Sequence, residues 1–318
     1  MNASTIEPKL ILPARLGWKL GRSFIYGNGG ANPPTEQVLK FIPALECGLE
    51  LAGKYGDIVL DLKSLFESAR KPGGYFLLTC ECGYADDAEI HELIFVQHLS
   101  HDKIVWELDI QGLKAALVKE TWLTHQDGYV RLIFDRSQYV ADLHRMVAEV
   151  QQANKELELD GVAGRGNYSF VEELLAFDFD APIIAGAIFP PGSHLEFRLE
   201  GDEYCWLNGK KLKGWPPHYF PRWEINRAFK EWTKFFQRGY AITSSFYLLG
   251  GAEYDAQVAY ANRNSFHLQD ENDRAACDAT GIKLAQMLQK NIDESGNSPQ
   301  VTVSYSFCRV PIITTMGR

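Results

Sequence analysis

Residues Gly74–Asp109 read GYFLLTCECGYADDAEIHELIFVQHLSHDKIVWELD, and the pattern of this stretch decides the fold class. Tyr75 to Thr79 is a nearly continuous apolar run, as expected of a central strand covered on both faces. Leu93 to Leu99 and Ile104 to Leu108 read as two more strands, joined through a turn at Ser100-His101-Asp102-Lys103. Between the run and this hairpin lie Cys80, Cys82 and an acidic loop holding Asp86, Asp87, Glu89 and Glu92.

Working outward, Leu45, Cys47, Leu49 and Leu51 alternate with polar or small residues. GKYGD turns the chain, and Ile58, Leu60 and Leu62 alternate again. The period of two predicts a β-hairpin with one buried face. Lys63 to Ala69 predicts a short helix. Downstream, Tyr129 to Phe134 is a strand. Asp135 or Ser137 then caps a helix to about Lys155, in which Tyr139, Val140, Leu143, Met146, Val147 and Val150 recur near 3.6 residues. ELELDGVAGRGN, from Glu156 to Asn167, loses periodicity, carries three glycines and predicts a linker, so the expected domains are 1–160 and 161–318. The second half shows strands at Leu195–Leu199, Tyr204–Leu207 and Lys210–Leu212. Asn208-Gly209 is a strong hairpin signal. A helix over Glu224–Arg238 follows, with Gly239 at its C-cap and a strand over Ala241–Leu249. Asp273–Ile292 is expected to be helical and Val301–Val310 to be a last strand. The fold class is therefore α+β: two antiparallel-sheet subdomains, each with packed helices.

The chain has 318 residues with 46% hydrophobic and 23% charged content, a globular composition with material for a sizeable core. Its net charge of −9 argues against a nucleic-acid partner and is compatible with a basic protein, since an acidic surface steers toward cationic partners. No apolar run is long enough to span a membrane, and no export signal is legible. Six cysteines are too sparse for a disulfide framework, so reduced thiols in a cytoplasmic protein are expected. No cofactor motif is present: the glycines after residue 160 follow a helix, not a strand.

Four groups of residues bear on function. Cys80, Cys82 and His91 carry zinc-type donors, but the single-residue spacing fits core cysteines better. A thiol nucleophile at Cys80 or Cys82, paired with a histidine, meets acidic surroundings that disfavour the thiolate. Asp86, Asp87, Glu89 and Glu92 form either a solvated turn or an anionic patch for a cationic partner. Trp215, His218, Tyr219 and Phe220, within GWPPHYFPRW, are amphipathic residues of the kind that anchor interfaces.

The sequence YFLLTCECG, with its flanking hairpin, VWEL and YVRLIFDRSQYVADL, resembles bacterial proteins encoded beside polymorphic toxin genes, over about residues 41–151. The segment FPRWEINRAFKEW is similar to large immunity proteins paired with Rhs-type toxins. The resemblance implies a cytoplasmic antitoxin that binds a secreted toxin domain, an ADP-ribosyltransferase or nuclease, and it implies no catalysis. In the resembled pattern the loop after Cys-Gly carries a further cysteine; here YADDAEI stands instead. A thiol- or metal-dependent hydrolase and a structural adaptor are the alternative expectations.

Overall fold

The computed structural model describes residues 7–25, 36–51, 57–99, 102–164, 167–181, 189–190, 192–200, 203–212, 222–246, 271–294 and 301–306. The fold is α+β, and the chain divides into two units. One comprises Ser4–Gly186 with Pro217–Trp223, and the other Ala187–Pro216 with Glu224–Arg318.

In the first unit a five-stranded sheet is built from β1 (Leu10–Ala14), β5 (Gly73–Tyr75), β7 (Ile94–Leu99), β8 (Lys103–Asp109) and β9 (Tyr129–Asp135). The spatial order is β1-β9-β8-β7-β5, antiparallel except for the parallel edge pair β1 and β9. The alternation read in the sequence places Ile104, Trp106, Leu108, Val130, Leu132 and Phe134 on one face, all fully or almost fully buried. Helix α2 (Arg136–Leu157) packs there through Tyr139, Leu143, Met146 and Val150, residues three or four apart. Tyr139 meets the rings of Trp106 and Phe134 edge-on at 6.2 and 5.3 Å. Each such pair adds about 0.5–1.5 kcal/mol beyond its buried area. Asp135 caps α2 by accepting from the Gln138 N–H at 3.1 Å. Asp142, unforeseen as a buried residue, is held on this helix by Gln138 and Arg145.

A second sheet runs β11-β10-β3-β2, from β2 (Trp18–Ile25), β3 (Glu36–Pro43), β10 (Gly161–Gly164) and β11 (Asn167–Ser169). The division expected at residue 160 is thereby corrected: Gly161 and Val162 pair in parallel with Val38 and Leu39, so the glycine segment is a strand of the first unit. Its glycine has a packing reason, since a Cβ on Gly161 would lie 2.2 Å from the Tyr168 ring.

Two strand expectations change within this unit. Leu45, Cys47, Leu49 and Leu51 are buried as their alternation requires, yet among the described residues they form no hairpin, and an isolated bridge joins Arg15 to Glu46. Strand β4 (Ile58–Leu60) pairs instead with β6 (Leu78–Cys80). The run Tyr75–Thr79 is accordingly shared between two sheets, β5 at the edge of one and β6 in the other. Continuous burial, which both arrangements produce, carried no information about pairing. Helix α1 (Leu62–Arg70) is capped by Asp61 and buries Leu62, Leu65, Phe66 and Ala69. Helix α3 (Val171–Leu175) buries Val171 and Leu174.

The second unit has a sheet ordered β14-β13-β12-β15, from β12 (His194–Glu200), β13 (Glu203–Leu207), β14 (Lys210–Lys211) and β15 (Thr302–Tyr305). Asn208 and Gly209 take positive φ of 51° and 74° in the expected tight turn. Strand β15 pairs in parallel with β12. Helix α4 (Trp223–Phe246) continues through Gly239 and, as far as Phe246, replaces the strand expected from Ala241, the rest of which lies outside the described residues. An apolar run that short suits either state, and one glycine costs a helix interior only about 1 kcal/mol. Helix α5 (Glu271–Glu294) spans the region expected to be helical. Phe197, Phe229, Trp232 and Tyr305 form an aromatic cluster in this unit.

Candidate functional site

The site is the turn between β6 and β7. Cys80 ends β6 in the core, and the chain reverses at once: Gly83 N–H donates to the Cys80 carbonyl at 2.9 Å, with Gly83 at φ 88°. The reversal brings the Cys80 and Cys82 Cα atoms to 5.1 Å, and the two sulfurs are joined as a disulfide. This differs from the reduced thiols expected. Two side chains on one face of an extended segment sit too far apart for a bond, whereas a turn starting between them closes the gap. Asp87 Oδ2 lies 3.3 Å from Cys82 Sγ.

A single 3₁₀ turn, Asp86–Ala88, follows. Ala88 and Ile90 N–H groups both donate to the Ala85 carbonyl at 3.0 Å, and Glu89 N–H donates to Asp86 at 2.9 Å. Glu89 sits in the left-handed region at φ 56°. Ala88 and Ile90 are buried in the core. Thus the turn is held by its backbone hydrogen bonds and by the apolar plugs Ala88 and Ile90, whatever the redox state of the cysteines, while Asp86, Asp87 and Glu89 stay exposed. A non-glycine residue held at positive φ is strain that only a well-determined surrounding sustains.

His91 Nδ1 lies 3.2 Å from Asp86 Oδ1, and both side chains are exposed. Among the described residues, no lysine or arginine pairs with Asp86, Asp87 or Glu89. Three carboxylates therefore stand together on a rigid turn, without an internal cation. Tyr84, 59% exposed, stands beside them. Sequence reasoning passed over Tyr84, although its place directly after the Cys-Gly reversal marks it as a turn residue.

The structure sorts the other expected site residues. Glu92 is half-buried and packs on Gly112, where a Cβ would come within 1.9 Å of its Cγ. It is part of the scaffold beneath the turn. His91 is directed to Asp86, and the metal-type donors that do converge are Cys80, Cys82 and Asp87, within 4.8 Å of one another. His98 is bonded to the Ser68 carbonyl and Arg136, so neither cysteine has a histidine partner among the described residues. Trp215, His218, Tyr219 and Phe220 lie outside the described residues.

Behind the turn, the second face of the five-stranded sheet carries a buried polar network absent from the sequence reading. Glu107 accepts from Arg131, its cross-strand partner, at 2.7 Å and from the Trp223 backbone N–H at 2.8 Å. Asp109 accepts from Trp223 Nε1 and, at 2.8 Å, from Gly112 N–H. Trp223 stacks on Tyr129 at 4.7 Å. Asp109 thereby ties the Gly112 support of the acidic turn to the sheet. A buried pair so fully bonded fixes geometry.

No family model matches the chain, and comparison with curated proteins and with solved structures likewise gives no match. Among the described residues, no helix is long and apolar enough to cross a membrane.

Proposed function

We propose that the protein is an immunity protein that binds a basic toxin domain one to one in the cytoplasm of the producing cell and blocks its active site by occlusion. The observation that carries this reading is the pinned turn presenting Tyr84, Asp86, Asp87 and Glu89. A toxin that acts on an anionic substrate, as an ADP-ribosyltransferase or nuclease does, has a cationic cleft. Carboxylates facing such a cleft speed encounter and exclude wrong partners. Because the turn is already ordered, binding costs little conformational entropy there.

The test is co-expression with the basic domain encoded next to this gene. Protection of growth and a one-to-one complex are expected. Reversing the turn (D86K/D87K/E89K) should slow association by about 10- to 100-fold at low salt and change dissociation little. Failure of the folded protein to protect or to form a complex refutes the reading, and an unchanged association rate removes the turn from the interface.

A second reading is favoured by Cys80, Cys82 and Asp87: in reduced protein these would supply two thiolates and a carboxylate to a zinc ion. Metal analysis of reduced, untagged protein tests it, and a content well below one zinc per chain dismisses it.

A further inference from the structure

The C-terminus of α1 and the first turns of α2 border a cavity of about 340 Å3, lined by Ala69, Arg70, Arg136, Val140, Phe179 and Asp180 among others. Two of these are arginines with distinct surroundings. Arg136 donates through Nη2 to the Ala69 carbonyl at 3.0 Å and shares a 3.3 Å contact with His98 Nδ1. His98 Nε2 in turn donates to the Ser68 carbonyl at 2.8 Å, and Nδ1, which faces an arginine N–H, can only accept there, so the imidazole is neutral and brings no charge to Arg136. Arg136 Nη1 is buried without a hydrogen-bond partner. Arg70 lies over the Phe177 ring at 5.8 Å, and its Nε is likewise buried and unpartnered.

Two guanidiniums thus line one small cavity, and among the described residues neither is ion-paired. The C-terminal carbonyls of α1 offset only about half an elementary charge. Asp180 lines the same cavity without pairing to either arginine, and its backbone N–H is engaged by Asp178. Partly desolvated like charges sharing one cavity are costly unless an anion joins them, and such an anion would meet the guanidinium hydrogens that are not buried against the protein. Planar forks match tetrahedral oxyanions, and two of them match a doubly charged group better than a carboxylate. The cavity volume is at the small end of ligand sites, enough for a phosphoryl group and a few more heavy atoms.

We propose that this cavity binds a small phosphomonoester bearing hydroxyl groups, with the phosphoryl group held by Arg70 and Arg136 and a hydroxyl donating to Asp180. The site is independent of the acidic turn and of the toxin-binding reading. Glycerol phosphate is the probe, titrated calorimetrically into the full chain, with inorganic phosphate, sulfate and acetate as comparators at matched ionic strength. Saturable one-site binding of glycerol phosphate is expected. Arg136 also caps α1, so Arg70→Gln is the informative variant: it should retain the wild-type circular dichroism and melting temperature and bind at least about tenfold more weakly. Asp180→Asn should weaken glycerol phosphate and leave inorganic phosphate unchanged. No saturable binding at millimolar probe, equal binding by R70Q, or acetate or sulfate binding as tightly as phosphate would each overturn the assignment.

Discussion

Acidification should destabilise the first unit through His98, and the size of the effect follows from its surroundings. Burial is the largest influence and lowers the imidazole from 6.5 to about 4; the bond to the Ser68 carbonyl opposes this, and Arg136 lowers it further. In the unfolded chain His98 takes up a proton near pH 6.5, while in the native protein it does so only near pH 4. Between these values the unfolded state binds more protons, so stability is fully present above pH 6.5 and is lost as pH falls toward 4. At about 1.4 kcal/mol per pH unit, that interval amounts to about 3 kcal/mol. His98→Gln keeps a donor for Ser68 and an acceptor for Arg136 but does not titrate; its fixed cost should be about 1 kcal/mol. Urea unfolding of both proteins from about pH 7.5 to about pH 4 reads the difference. Glu67, whose carboxyl is raised by burial, and Asp135, lowered to about 2 chiefly by Ser137, titrate equally in both proteins and cancel. The gap between wild type and H98Q should close on acidification, and H98Q should be the more stable near pH 4. Parallel pH profiles would refute the assignment of a neutral, largely desolvated His98.

Three further outcomes are expected. Arg131→Met strands the Glu107 carboxylate, whose side chain is 1% exposed, and should cost about 3–5 kcal/mol in chemical denaturation, with E107L/R131M recovering at least half; a neutral single variant removes the pair from the stability of the sheet. Gly161→Ala places a methyl 2.2 Å from the Tyr168 ring and should lose about 1–3 kcal/mol, read as a lower urea midpoint. Thiol titration of protein denatured without reductant should count two fewer thiols than after reduction, and C80A/C82A should abolish that difference.

The acidic turn was legible as a loop of carboxylates, because exposure of charged residues needs no knowledge of the fold. Its rigidity was not. The Cys80–Cys82 link depends on where the chain reverses, the Glu89 conformation on Ala88 and Ile90 being plugged into a core, and the support under Glu92 on Gly112, distant in sequence. The network of Glu107, Arg131 and Trp223 joins residues up to 116 positions apart, beyond any local pattern. The arginine cavity likewise arises only because the C-terminus of α1 is brought to the start of α2.

The sequence by itself determined the α+β class, the hairpin of β7 and β8, the capped α2 and the Asn208-Gly209 turn, since each is written in side-chain periodicity or in the φ preferences of a few adjacent residues. Tertiary structure alone decided that Tyr75–Thr79 serves two sheets, that Leu45–Leu51 packs without a ladder, and that Gly161–Gly164 is a strand. In those places several backbone arrangements bury the same apolar side chains. Only the partner strand, tens of residues away, distinguishes them by satisfying the backbone hydrogen bonds.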